Sequence, residues 1–348
     1  MNSSFIKRTI FRVIDFVQFP IIIRLLSQSP RIFLYHGVAP TQKDFGIYNY
    51  RGKFISPVAF RKQLLWLKKN YTILPLPYYI ELLLDKKRFP PNVCSITFDD
   101  GYLNNYEFAF PLLKEFAIPA TFFVTTDFVD QKTPLWVDIL EYAIGKAKAP
   151  ELRIIYNGQP TSFNLSTYRD RCATDSILRN HLKKIPRSHA LKLLEDIVQA
   201  TGTDLRKKFH NSPYQAFGWD NAREMASSGM TIMPHTLSHP ILSQTPPQEV
   251  LTEISDSRNR VQKEMEKRSD LFAYPNGQSE DFSMATVELL KKLEFKAALT
   301  TISDVCNEET KVFEIPRITL DNTNNFSLFR IKATSTDRIL KNFYKKRW

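Results

Sequence analysis

The sequence predicts an α/β fold with a parallel sheet, on two observations. Short apolar runs rich in β-branched and aromatic residues alternate along the chain with segments whose apolar residues recur at helical spacing. Strands that alternate with helices build a parallel sheet through helical crossovers. The chain has 348 residues and 43% hydrophobic content, enough for one such domain with an insertion and an ample core.

In chain order, strand candidates lie at 31–36, 93–98, 121–124, 230–233, 271–274, 297–300 and 312–318. The clearest is Val93-Cys94-Ser95-Ile96-Thr97-Phe98, a buried-type run that stops at Asp99-Asp100-Gly101. Helix candidates occupy 60–69, 78–85, 108–116, 247–267 and 284–293. The stretch 127–217 is far longer than one strand-helix unit needs. It contains 135–140, a strand-like 152–156 with a turn at Asn157-Gly158, a basic helical run at 176–185 and a second at 188–200. Trp219 precedes a helix at 221–227 and packs on it, with no catalytic role.

Two motifs carry chemistry. Asp99 and Asp100 end a strand, and the carboxyl rim of an α/β sheet is where ligands bind, because loops vary there while strands fix position. Alone, Asp-Asp-Gly is also an ordinary solvated turn. His235-Thr236-Leu237-Ser238-His239 follows the apolar run 230–233, so His239 returns to the side of His235 if the chain makes one helical turn, which Pro240 then ends. Alone, the pair is also two unrelated surface histidines. Together, two neutral imidazoles and one carboxylate make an open three-ligand metal site, and the other carboxylate stands beside it as a base.

On these residues the chain resembles the polysaccharide deacetylases of the carbohydrate esterase 4 type, the NodB-homology family. Its first motif is matched by Thr97-Phe98-Asp99-Asp100-Gly101-Tyr102 and its second by His235 to His239. A variant of the third is Phe272-Ala273-Tyr274-Pro275-Asn276-Gly277, and all three stand in family order. The similarity runs over about 31–320 and includes Tyr35-His36-Gly37-Val38, the stretch 119–124, Pro134-Leu135-Trp136 and Ile315-Pro316-Arg317-Ile318. These flanks look like the bacterial subgroup found with surface-polysaccharide modification. The resemblance implies a distorted (β/α)7-type barrel over 30–334, with the site at the strands' carboxyl ends and the insertion at about 127–217.

It also implies roles. Asp100, His235 and His239 hold a divalent metal; the ligand types favour zinc, and such sites also accept cobalt, nickel or manganese. Asp99 is the general base, and Gly101 gives the turn its freedom to swing both carboxylates inward. The backbone N–H of Asn276 stabilises the developing oxyanion. Two departures matter. The family's third-motif arginine, which orients the base, is replaced by Ala273, and Arg317, at the end of a strand Phe313-Glu314-Ile315-Pro316, is the substitute candidate. A structural salt bridge and a substrate contact are its other readings. No histidine follows His239, where typical members have a late one as general acid. His36, at the tip of the first strand, is the candidate proton donor; a core histidine is the plain alternative, with a bound water or Asp99 then giving the proton. His181, His189 and His210 lie in the variable middle segment.

The expected function is removal of acetyl from N-acetylated sugars of a surface polysaccharide or its lipid-linked precursor, with 127–217 as a cap over the site mouth. Trp136 and Tyr156 are candidates for sugar stacking or for packing, packing being favoured. The residues by themselves license only metal-assisted hydrolysis of an amide or ester. Two rivals are a same-fold hydrolase of a non-peptide C–N bond in a small molecule and a weakened glycan-binding protein. The long insertion argues against the first, and the intact Asp99, Asp100, His235 and His239 against the second.

Residues 1–29 mix basic and apolar positions as an interfacial amphipathic segment does, and fit neither a signal peptide nor a span. A buried helix under the barrel is the alternative. With the basic tail at 335–348 and a net charge of +12, this favours an anionic membrane surface or an anionic glycan. The expected place is the cytoplasm, peripheral at the inner face of a bacterial membrane. No nucleic-acid motif accompanies the charge. Cys94, Cys172 and Cys306 lack metal spacing and a disulfide framework, which is compatible with a reducing compartment.

Overall fold

A computed structural model describes residues 29–41, 45–203 and 213–337, so the N-terminal segment up to residue 28, His210 and the tail from 338 lie outside the described residues. Among the described residues seven parallel strands follow one another in barrel order: β1 (Arg31–Tyr35), β2 (Val93–Phe98), β3 (Thr121–Val124), β4 (Thr231–Pro234), β5 (Leu271–Ala273), β6 (Ala297–Leu299) and β7 (Ile318–Thr319), while short parallel strands off this order include Thr72–Ile73, which pairs with β2. Regular ladders join β7, β1, β2, β3 and β4 in that order, and β5 to β6. This is the order of a distorted seven-stranded barrel with two seams, β4 to β5 and β6 to β7. The second is bridged by Leu299 and Ile315. Among the described residues no helix is long and apolar enough to cross a membrane.

The register explains the core. Tyr35, Phe98, Phe122 and Ile232 are aligned partners across β1 to β4, so their side chains form one row on one face. Tyr35 stacks on Phe98 at 5.4 Å, and Phe98 on Phe122 at 4.8 Å. Phe60 and Leu64 of α1 (Pro57–Asn70) bury against this row. Each such side chain contributes about 1.5–3 kcal/mol through burial. His36 and Asp99 are the next residues out, so the stacked row fixes the base of the rim from which they leave. Further helices are α2 (Leu76–Leu84), α3 (Phe110–Glu115), α4 (Trp136–Lys146), α5 (Tyr168–Leu182), α6 (Arg187–Thr201), α7 (Trp219–Ser227), α8 (Pro247–Met265), α9 (Met284–Lys292) and α10 (Phe326–Ala333).

The insertion is a small folded unit. Helices α4, α5 and α6 pack with an antiparallel hairpin, Glu151–Tyr156 and Gln159–Asn164, turned at Asn157-Gly158. Leu140, Ile144, Leu152, Leu178, Leu194 and Ile197 form its separate core.

Three sequence expectations are corrected. The strand expected at 312–318 shrinks to Ile318–Thr319, because Pro316 has no N–H for a ladder and Ile315 makes only an isolated bridge. Arg317 therefore precedes a strand and does not end one. The helix expected at 108–116 begins as a π-helical turn, Asn105–Ala109, just ahead of Pro111, which cannot donate to a helical ladder. Trp219 is the first residue of its helix and not a flank.

Candidate metal centre and catalytic cleft

Asp99 and Asp100 leave β2 at the carboxyl rim, buried at 1% and 3% exposure. The turn that brings both inward takes two left-handed residues, Asp100 with φ 79° and Gly101 with φ 100°. The freedom expected of Gly101 is thus only half of it, and an L-residue bears the rest. That cost is met by fixed neighbours, since the Asp100 carbonyl accepts from Thr125 N–H and the Gly101 carbonyl from Phe217 N–H, each at 3.1 Å.

The histidine loop corrects the expected helical turn. Between His235 and His239 there is no helix; Thr236 and His239 are both left-handed, with φ 69° and 60°. The loop is tied down from α8. Glu253 accepts the N–H groups of Leu237 and Ser238, each at 2.9 Å, and the Ser238 hydroxyl at 2.6 Å. Arg187 of α6 pairs with Glu253 at 2.8 Å. The Trp136 indole donates to the His239 carbonyl at 3.1 Å. Trp136 is therefore a brace of the loop. Tyr156 packs on Phe163 and His181 inside the cap.

Asp100, His235 and His239 meet as a buried cluster whose ligand atoms lie within 4.8 Å of one another. Asp100 Oδ1 is 3.6 Å from His235 Nε2 and 3.3 Å from His239 Nε2. Asp100 Oδ1 is buried yet accepts no hydrogen bond of good geometry among the described residues, an orphan that a cation satisfies. His235 Nδ1 lies 2.7 Å from the Ala273 carbonyl, so Nδ1 carries the proton and Nε2 turns its lone pair to the cluster. Burial pushes the His235 imidazole down to about 4, which keeps it neutral, as ligation requires. Burial raises the Asp100 carboxyl, but His239, His36 and His235 outweigh it and hold the group below its ordinary range. The donor set of two nitrogens and one oxygen fits a divalent metal.

Asp99 faces a different partner. Arg317, fully buried, grips it with two parallel bonds, Nη1 to Oδ1 at 2.7 Å and Nη2 to Oδ2 at 2.6 Å. Arg317 Nε is held in turn by the Thr300 carbonyl at 2.8 Å, across the seam between β6 and β7. Burial raises the Asp99 carboxyl, yet Arg317 and then His235 prevail, and it stays ionised below its ordinary range.

His36 lines the same cleft as Asp99, Asp100, His235, His239 and Asn276. Its Nδ1 lies 2.7 Å from Asp321 Oδ2, and its backbone N–H reaches Asp321 Oδ1 at 3.3 Å. Burial lowers the imidazole, but Asp321 overrides it and the group rises to about 9. Asn276 is left-handed, with φ 57°, and its buried Nδ2 has no hydrogen-bond partner among the described residues. Of the other histidines, His181 sits in the cap against Tyr156 and His189 is exposed on α6, so neither joins the cleft. Sequence reasoning missed Asp321 and Glu253. Asp321 ends the run Ile318-Thr319-Leu320, the same strand-tip signal that marked Asp99.

The family model for polysaccharide deacetylase matches residues 86–298. The chain belongs to the polysaccharide deacetylase family. The Bacillus subtilis protein YxkH is 20% identical over 260 residues, 74% of this chain and 63% of that protein. A Staphylococcus aureus poly-beta-1,6-N-acetyl-D-glucosamine N-deacetylase is 26% identical over 147 residues, 41% of this chain and 46% of that enzyme. The matched regions thus span about half to under two thirds of these relatives. Among solved structures, the Streptococcus pyogenes deacetylase PplD has a TM-score of 0.58 at 17% identity, covering 88% of this chain and 98% of that one. A Bacillus cereus polysaccharide deacetylase has a TM-score of 0.55 at 18% identity, covering 88% and 69%. They share the fold, a distorted barrel of parallel strands and helices. Members of this family are generally metal-dependent, and the buried Asp-His-His cluster is a candidate for such a site.

Proposed function

We propose that this protein is a metal-dependent hydrolase that removes acetyl groups from N-acetylated sugars of a surface polysaccharide or its lipid-linked precursor. One observation carries the reading: adjacent carboxylates at one strand tip have opposite partners, Asp100 two imidazoles and Asp99 a guanidinium. The N-deacetylase activity of the Staphylococcus aureus relative supports the substrate class. A divalent cation on Asp100, His235 and His239, zinc first by ligand type, acidifies a water and polarises the acyl carbonyl when bound.

The remaining work falls to the chain's own groups. Asp99 takes the water's proton at a carboxylate oxygen, while Arg317 keeps that carboxylate ionised and oriented. The Asn276 N–H stabilises the oxyanion as a fixed dipole. His36, kept protonated by Asp321, gives a proton to the departing sugar nitrogen. The test is acetate release from N-acetylglucosamine oligomers. Release that stops on chelation, returns with zinc, cobalt or nickel, and is lost in a metal-loaded Asp99→Asn variant is expected. Absence of release from every N-acetylated glycan tried, with stoichiometric metal bound, overturns the proposal.

A further inference from the structure

The cleft has a second wall whose charges are not all accounted for. Besides the metal cluster, its lining includes Arg51, Lys53, Arg179 and Lys183, with Glu141 as the acid among them. Two of these cations are neutralised in place. Lys53 Nζ is 2.5 Å from Asp138, and Arg179 grips Asp175 at 2.9 and 3.0 Å with Glu141 3.7 Å away. Glu141 is itself occupied, accepting the Asn49 N–H at 2.8 Å and the Tyr214 hydroxyl at 2.7 Å.

Lys183 and Arg51 form no ion pair among the described residues. Lys183 caps α5 four residues after Arg179, so both side chains share a face of that helix. Lys183 is partly buried, whereas Arg51 is exposed at the mouth. The acids whose charges act on Lys183, Asp281 and Glu280, form no ion pair with it, and the Asp281 carboxylate is engaged by Gln278 N–H at 2.9 Å. A partly buried cation left without a counter-charge is costly unless a ligand supplies one.

We propose that Lys183 and Arg51 form an anion-recognising subsite of the cleft, so that the acetylated glycan carries a carboxylate or a phosphate close to the scissile amide. The inference rests on the deacetylase reading above and narrows its substrate to an acidic glycan. A neutral N-acetylglucosamine polymer leaves both cations unpaired. The net charge of +12 adds long-range attraction for the same substrates.

The test uses full-length, zinc-loaded protein, with calorimetric binding and acetate release measured side by side. The probes are neutral N-acetylglucosamine oligomers, oligomers alternating N-acetylglucosamine with glucuronate, and UDP-linked N-acetylglucosamine. One anionic probe binds about tenfold tighter than the neutral one, the size of a charge-assisted hydrogen bond, and the gain shrinks with salt. Which probe gains separates carboxylate from phosphate. Lys183→Glu abolishes the preference, while Lys184→Glu, the exposed neighbour outside the lining, keeps it. Equal binding of all three probes, or equal loss in both variants, overturns the subsite. Absence of acetate release with the binding preference intact overturns the deacetylase reading and leaves the subsite standing.

Discussion

His235 and His36 both leave the carboxyl end of a strand and both line one cleft, yet they are driven to opposite protonation states. His235 is set against a backbone carbonyl and buried, and falls to about 4. His36 is set against the Asp321 carboxylate, and rises to about 9. A carbonyl fixes a tautomer without adding charge, so burial decides; a carboxylate stabilises the imidazolium, so charge decides. The same side chain is thus left with a free lone pair at one tip and with a proton to give at the other, which is what the proposed ligand and proton-donor roles require. Asp100 and Asp99 repeat the lesson for carboxylates, one left open to a cation and the other closed on Arg317.

The strongest way to break the comparison is to remove the neutral imidazole. His235→Ala is expected to lose bound metal and to lower acetate release by about a thousandfold or more, the scale of losing a main charge-stabilising element. Elemental analysis of the purified variant beside its turnover checks this. Full metal occupancy in that variant would remove His235 from the ligand set.

Next in size is the carboxylate partner. Arg317→Met leaves Asp99 buried and unpaired, and the expected loss of folding stability is about 3–5 kcal/mol. Asp99 titrates lower in the folded protein than unfolded, so the pair's contribution is present above about pH 4 and is lost on acidification. Denaturant unfolding at neutral and acid pH reads both effects. Adding Asp99→Asn to Arg317→Met should recover much of the stability and none of the activity.

How much of this was legible in the sequence depends on how locally each feature is encoded. Asp99-Asp100 and the His235, His239 pair were readable because each is a short motif following an apolar run, and the alternation of strand and helix gave the parallel architecture. Arg317 is legible as the substitute for an arginine replaced by Ala273, although the strand beside it is shorter than its apolar run suggests. What the sequence hid are atoms that only the closed fold brings together. The carbonyl of Ala273 has no side-chain signature, and Glu253 reaches the histidine loop from a helix that reads as merely amphipathic. The helical turn expected between the two histidines failed for a similar reason: Thr236 and His239 take left-handed backbone without Gly or Asn to announce it.

A smaller effect should follow from the charged histidine. Asp321→Asn removes what holds His36 up, so the imidazole should return from about 9 toward its ordinary value near 6.5. Where protonated His36 is needed, the alkaline limb of the rate profile moves down with it. His36 titrates higher folded than unfolded, so its stabilisation is full below about pH 6.5 and lost as pH rises through about 9. NMR titration of the metal-free protein reads the shift directly. An unmoved imidazole would mean that Asp321 does not set its charge.

The smallest expected effect tests whether the cap takes part in this arrangement or only covers it. Trp136 belongs to the insertion, yet its indole N–H is spent on the carbonyl of His239, a residue of the barrel rim. Trp136→Phe keeps most of the packing and removes that bond, worth about 1 kcal/mol. Loss of the brace loosens one ligand and leaves His36 and Asp99 untouched, so metal affinity should fall by up to about tenfold while the pH profile stays in place. Metal titration of the two proteins separates the cases. An unchanged affinity would mean that Glu253 and the N–H groups of Thr126 and Asp127, which donate to the Thr236 and Leu237 carbonyls, hold the histidine loop without Trp136, and that the cap meets the metal centre without steadying it.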